Sequence, residues 1–308
     1  YRIWCNDPDR SLSAEYLDTL GGLSGIATEA LQASTLLPVH RSITGGADFQ
    51  HGVALWILCL GTRNRRRCGG LQYCPLCFAE REPYYRIQSR LAWHTSCPIH
   101  NVTLLDRCES CHAPLCPHLI NPPREDIGHC HRCGDMLSSA TVEPALPHAA
   151  AFQQATDELF DGHIQGYGNS QLDLRAWFEL AHWMLGILRS AARSNRPCLS
   201  GFFDKLQVSL EELRQPATGL PFEYLNPGDR ANLLSKVWSM MLAGPDKLIS
   251  ATAQEKIRPS LLMPRSCHLP SALAQLATVL KVSQKGGGGH PHLNSPRSPS
   301  SVLMRWNR

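Results

Sequence analysis

The chain has 308 residues, 43% hydrophobic and 18% charged, with a formal net charge of +4 and a pI near 8.4. That length allows two globular domains, each with a core of its own. No apolar run approaches the roughly 20 residues a bilayer crossing needs, and the mild basic balance falls short of the footprint that carries tight stand-alone DNA binding.

Residues 1–62 predict a helical segment. Ser11 followed by Leu12, Tyr16, Leu17 and Leu20 has helical spacing, with Gly21-Gly22 as its expected stop. A second short helix is expected from Ile26 to Ala33, and Trp56, Ile57, Leu58 and Leu60 are expected in the core. The chain begins at Tyr1 rather than Met, so a further N-terminal piece is expected.

Arg63, Arg65, Arg66 and Arg67 crowd the entry to the next segment. Such a run is either a solvated loop or a contact to phosphate or an acidic partner, because guanidinium forks match phosphate oxygens.

Four pairs with one spacing follow: Cys74-x-x-Cys77, Cys97-x-x-His100, Cys108-x-x-Cys111 and Cys130-x-x-Cys133. Two intervening residues let a tight turn aim two side chains at one ion. Zinc takes four such ligands in a tetrahedron, and thiolate with imidazole is the set it prefers. The eight therefore predict two structural zinc sites, one of three cysteines and a histidine, the other of four cysteines. Both quartets are complete, whereas a catalytic zinc keeps one position open. The deaminase signature needs a His-x-Glu, which occurs nowhere in the chain. Thioredoxin-like chemistry would use one such motif in a βαβ setting, and no secretory signal argues for disulfides.

Adjacent pairing gives the first two pairs to one ion and the last two to the other, with nearly equal loops from Phe78 to Ser96 and His112 to His129. Cross-brace pairing would join the first pair to the third. Val102, Leu104 and Leu105 in the short link could pack between two stacked modules. Cys116 and His118 are rival ligands within the second loop. The other cysteines, Cys5, Cys59, Cys68, Cys198 and Cys267, read as reduced thiols of a cytoplasmic protein. Ten Arg, no Lys and seven Asp or Glu lie between Arg63 and Asp135. With seven thiolates and two divalent ions the folded module is close to neutral.

Between the first two pairs, Glu82-Pro83 opens a predicted helix through Tyr84, Tyr85, Ile87, Leu91 and Ala92. Arg86 and Arg90 would share one face, available to Glu82 or to nucleic acid. Tyr84, Tyr85 and Trp93 are expected to pack around the zinc.

The composition then shifts, and 141–170 reads as a linker with a short helix from Ala150 to Phe160. Residues 171–282 predict a helical C-terminal domain. Asp173 caps a helix from Gln171 to Arg193, on which Leu174, Trp177, Phe178, Ala181, Leu185 and Leu188 share a face, with His182 at its boundary. Further helices are expected at Phe203 to Arg214, Pro227 to Ala243 (closed by Gly244-Pro245), Asp246 to Ile257 and Ser271 to Val282. These leave room for a helix-turn-helix, but no base-contacting signature marks one. The tail, 283–308, reads as disordered, and Gly286 to Gly289 lacks the Lys-Ser/Thr of a phosphate loop. The fold class is thus mainly α, with a small zinc-stapled module over 63–140 between helical segments.

One further signal is a likeness. Tyr73 before Cys74-Pro75-Leu76-Cys77, then Pro83-Tyr84-Tyr85-Arg86, Arg90-Leu91-Ala92-Trp93, Cys97-Pro98-Ile99-His100 and Leu104-Leu105-Asp106-Arg107-Cys108 resemble the zinc-binding core of the TniQ/TnsD family. The resemblance is specific over about 55–137. It departs at Asn101 and His112, where glycine is common, and at Ser89, where tryptophan is frequent.

The likeness implies a non-enzymatic adaptor that selects targets for transposition. It implies partners: an AAA+ ATPase regulator resembling TnsC, and target DNA or a CRISPR Cascade-type effector; whether the chain also forms a homodimer is left open by the sequence. A LIM-like zinc scaffold that binds only protein is the alternative, although LIM modules join their quartets by a shorter link.

Overall fold

Helix α6 (Leu174–Arg193) is the axis of the computed structural model, which describes residues 7–10, 12–50, 52–60, 70–121, 126–194, 196–210, 213, 220–262 and 269–285. Asp173 starts it, its carboxylate accepting the Ala176 N–H at 2.8 Å. Trp177, Phe178, Leu180, Ala181, Trp183, Met184, Ile187 and Leu188 are all buried on it, so the helix is covered over most of its circumference. Asp173→Ala should lower stability by about 1 kcal/mol through loss of the cap; an unchanged urea midpoint would contradict this.

Around α6 pack α3 (Leu37–Thr44), α5 (Pro147–Phe160), α8 (Pro227–Gln254) and α9 (Pro259–Leu262), while α7 (Pro197–Lys205) and α10 (Ala274–Lys285) lie on α8. Asn226 caps α8 and Pro227 opens it. Gly244, at φ 79° and ψ 169°, breaks it just before Pro245, as the Gly-Pro pair predicts. A hairpin of β1 (Gln165–Tyr167) and β2 (Ser170–Leu172) turns through Gly168-Asn169. A Cβ on Gly168 would lie 2.5 Å from Pro245 Cγ, so the turn docks on the kink only as glycine.

At the N-terminal end, α1 (Ala14–Ser24) is capped by Ser13, and α2 (Thr28–Ala33) follows. The expected stop at Gly21-Gly22 moves to Gly25, whose left-handed backbone (φ 70°) returns its N–H to Gly21 O at 2.8 Å. Helix α3 has no counterpart among the predicted elements.

The N-terminal segment and the C-terminal helices share one core. Trp56, Ile57, Leu58, Leu91, Ala92 and Trp93 belong to the same buried cluster as Phe152, Phe178 and Phe202. Trp56 packs against Phe178 at 5.1 Å and Phe222 at 5.4 Å, centroid to centroid. Its backbone is left-handed (φ 65°), a strain of about 1–2 kcal/mol for a bulky residue, and the Glu223 carboxylate accepts its N–H at 2.9 Å.

Three expectations need correction. The stretch read as a helix from Glu82 to Ala92 is extended, with one short 3-10 turn at Ile87–Arg90. Its backbone is taken by other segments: Leu58 N–H donates to Arg90 O at 2.9 Å and Ala92 N–H to Trp56 O at 2.8 Å. The stretch 141–170 holds α5, which buries Ala149, Phe152, Ala155 and Leu159 in the main core, and the β-hairpin. The helix expected from Phe203 begins earlier, at Pro197, and ends at Lys205 before a left-handed Gln207 (φ 60°).

Candidate metal centre

Each of the last three ligand pairs closes with the same local device. The residue after the second ligand is left-handed: Asn101 at φ 51°, His112 at φ 55° and Gly134 at φ 76°. Its N–H returns to the carbonyl of the first ligand, at 2.9 Å for Asn101 to Cys97, 3.0 Å for His112 to Cys108 and 2.9 Å for Gly134 to Cys130. Isolated bridges then pair Ser96 with Thr103, Arg107 with Pro114 and His129 with Met136, in one shared register. Asparagine tolerates this backbone better than most residues. Histidine at 112 carries a strain that Gly134 avoids.

The first pair is built differently. Cys74 is the N-cap of α4 (Pro75–Glu80), and Cys77 lies one turn on, so a helix start aims both sulfurs. The turn holds at Phe78, whose N–H donates to Cys74 O at 3.2 Å.

The pairs meet as neighbours. Cys74, Cys77, Cys97 and His100 form one cluster and Cys108, Cys111, Cys130 and Cys133 the other, each with its ligand atoms within 4.8 Å of one another. This is adjacent rather than cross-brace pairing. Cys77 Sγ lies 3.6 Å from Cys97 Sγ and 3.3 Å from His100 Nδ1. In the other cluster Cys108 to Cys133 and Cys111 to Cys130 are both 3.6 Å. A tetrahedron with zinc–sulfur bonds of about 2.3 Å has sulfur–sulfur edges of about 3.8 Å. The donor sets and their spacing therefore fit a metal ion. Cys116 and His118 fall outside both groups.

The electrostatics call for a cation. Burial first, and neighbouring sulfurs after it, push the Cys77 thiol up to about 12. Cys108 is likewise pushed up to about 12, chiefly by burial. Sulfurs packed this closely resist ionising together, and a divalent ion reverses that balance.

The link between the clusters alternates its side chains. Val102 and Leu104 pack with Cys74 and Cys97, whereas Leu105 packs against the cluster of Tyr73, Phe78, Cys108 and Cys130. Tyr73 and Leu105 exchange backbone hydrogen bonds at 2.9 and 3.0 Å, tying the start of one site to the start of the other. The Ser110 hydroxyl donates to the Asp135 carboxylate, joining the two turns of the second site.

Helix α5 anchors the first site to the helical body. Gln153 Oε1 accepts the N–H groups of Thr95 and Ser96 at 3.1 and 3.2 Å, and its amide donates back to Ser96 O at 3.1 Å. Asp157 Oδ1 accepts Trp93 Nε1–H at 2.9 Å and lies 2.9 Å from His94 Nε2. From α8, Arg230 donates to Leu225 O at 3.1 Å, Ala92 O at 2.5 Å and Gln72 Oε1 at 2.7 Å. Gln72 in turn donates to Ser89 O and His94 O. No periodicity marks these buried glutamines, which is why residue patterns miss them.

The candidate contact arginines separate. Arg63, Arg65, Arg66 and Arg67 lie outside the described residues. Arg86 is half-exposed with its guanidinium 5.5 Å from the Tyr84 ring centre. Arg90 is not a surface contact: it is 1% exposed and donates to Asp7, Asp9 and the Leu58 carbonyl. It thereby ties the turn at Asp7 and Asp9 to Leu58 and the Ile87–Arg90 turn. Of the aromatic residues expected around the metal, Tyr85 packs on Phe78 at 5.4 Å. Trp93 instead lies in the main core, stacked on Phe160 at 5.6 Å, and Tyr84 is exposed.

These features define a helical protein stapled by two Cys/His metal-type clusters, with no described helix long and apolar enough to cross a membrane. Residues 3–104, about a third of the chain, match the TniQ family model, so this stretch is similar to a domain of transposition-associated proteins. That family is a non-catalytic accessory domain of transposition systems. The matched span contains the first cluster and ends at Leu104, four residues before Cys108. No curated protein and no solved structure matches the chain.

Proposed function

We propose that the chain is a target-selection adaptor in DNA transposition, held in shape by two zinc ions. It would join a target-recognition element, either a DNA site or a Cascade-type guide complex, to an AAA+ ATPase regulator resembling TnsC. The observation that carries this reading is a TniQ-matched segment running into a module whose eight donors form two complete quartets.

Zinc is the ion that fits four sulfurs, or three sulfurs with an imidazole. With every ligand position supplied by the protein, these ions fix shape rather than activate water. The work left to such a chain is to bind. Arg63, Arg65, Arg66, Arg67 and Arg86 are its proposed contacts to phosphate or to an acidic partner face, and the cytoplasm is its proposed compartment.

The test is affinity capture with the AAA+ ATPase of the same transposon, with ATP present. The wild-type chain should retain the ATPase, and Cys97→Ser should lose it. In a plasmid insertion assay, removing this chain should abolish insertion at the chosen target. Unchanged targeting without the chain would refute the proposal.

A further inference from the structure

The second ring nitrogen of His100 is not left to solvent. Its Nδ1 faces the three sulfurs, at 3.5 Å from Cys74, 3.3 Å from Cys77 and 3.6 Å from Cys97. Its Nε2 lies 3.0 Å from Glu80 Oε2. Glu80 is the last residue of α4, three beyond Cys77 and six beyond the Cys74 cap. One helical face thus carries two sulfur ligands and a carboxylate that reaches the ligand from the opposite turn.

From this geometry we infer that Glu80 is the positioning residue of the first metal site: it fixes His100 as the Nε2–H tautomer and presents Nδ1 to the ion. The inference rests on the zinc reading above and deepens it. A hydrogen bond from the non-ligating nitrogen to a carboxylate holds the ring plane and raises the basicity of the ligating nitrogen, an effect worth about 10–100-fold in metal affinity. Glu80 is itself over half exposed, so its carboxylate is held by this contact rather than by burial. The second site has no imidazole and no need of such a partner, which makes it an internal control within the same molecule.

The experiment titrates a chromophoric chelator against the full-length zinc-loaded chain, for wild type, Glu80→Ala and Glu80→Gln. Cobalt substitution separates the three-sulfur from the four-sulfur site by its visible bands. Wild type should surrender two ions at high chelator. Glu80→Ala should lose the ion of the mixed site at about 10–100-fold lower chelator, with the four-sulfur site unmoved. Glu80→Gln, whose side-chain oxygen still accepts from Nε2–H, should recover most of the loss.

In the nitrogen–proton spectrum of the loaded wild type, His100 should appear as the Nε2–H tautomer with a protected proton, and Glu80→Ala should expose that proton to exchange. Equal chelator curves for wild type and Glu80→Ala overturn the role of Glu80 while leaving two zinc ions in place. A wild-type chain that carries no zinc overturns both readings.

Discussion

Removal of metal should unfold the middle of the chain. Each structural zinc contributes on the order of 10 kcal/mol to the folding of a small module, and little else is present to replace it. The cluster around the second site buries Leu71, Tyr73, Phe78, Ala113, Leu115 and Leu137, and that around the first buries Val102 and Leu104 beside its sulfurs, with Leu76 and Val142 partly buried against them. After chelation, hydrogen exchange should lose its protection over residues 71–145, while α6 and α8 keep most of theirs. Cys130→Ser should reproduce the loss locally. Cys97→Ser should spread further, because Thr95 and Ser96 next to it are bonded to Gln153 of α5. Retained protection in a chain shown by elemental analysis to be metal-free would refute the expectation.

The pH response follows from the same sulfurs, with opposite signs in the two forms. In the metal-free fold the Cys77 and Cys108 thiols are pushed up to about 12 by burial. That form is favoured while they stay protonated, and it loses the advantage as pH rises from their ordinary range toward 12. In the loaded form the ligands must be ionised, so protons compete with the ion and stability falls on acidification.

The second large effect is expected at Arg230. It is 1% exposed and bridges α8 to the segment that carries the Cys/His clusters through Ala92 O and Gln72 Oε1, while closing on Leu225 O. Arg230→Met would fill similar space yet leave three buried acceptors dry, at about 1–3 kcal/mol each before relaxation. A loss of about 3–5 kcal/mol in denaturant unfolding is expected. Arg230→Lys should restore only part, since an ammonium cannot reproduce the planar fork. A loss below about 1 kcal/mol would show that the junction does not depend on this fork.

What residues reveal about this chain depends on how local the governing force is. A metal site demands close spacing, so the eight side chains that cluster were visible as Cys-x-x-Cys and Cys-x-x-His pairs. Asp173 and Gly244-Pro245 were equally legible, because capping and helix breaking act within one turn. The run from Glu82 to Ala92 was not. Its apolar spacing and opening proline favour a helix, but hydrogen bonds from Leu58 and to Trp56 hold it extended, tertiary pairing overriding local propensity. Arg90 was misplaced with it, since its partners Asp7 and Asp9 lie more than 80 residues away. Helix α5 was legible from Ala150 to Phe160, but the polar and proline-rich residues around it hid its start at Pro147 and the burial of Phe152, Ala155 and Leu159 in the main core. Glu80 has a readable register, three residues beyond Cys77, but nothing local points it at His100.

The two indoles at Trp56 and Trp93 belong to a core completed only by α5, α6 and Phe222. As the chain leaves the ribosome, the turns that carry the Cys/His clusters can close once residue 133 has emerged. The N-terminal segment must meanwhile wait, its aromatic surface bare, until the chain as far as Phe222 has followed. Closure of the Cys/His turns can thus precede assembly of the helical body during synthesis, and until that body forms the aromatic surface is open to misassembly.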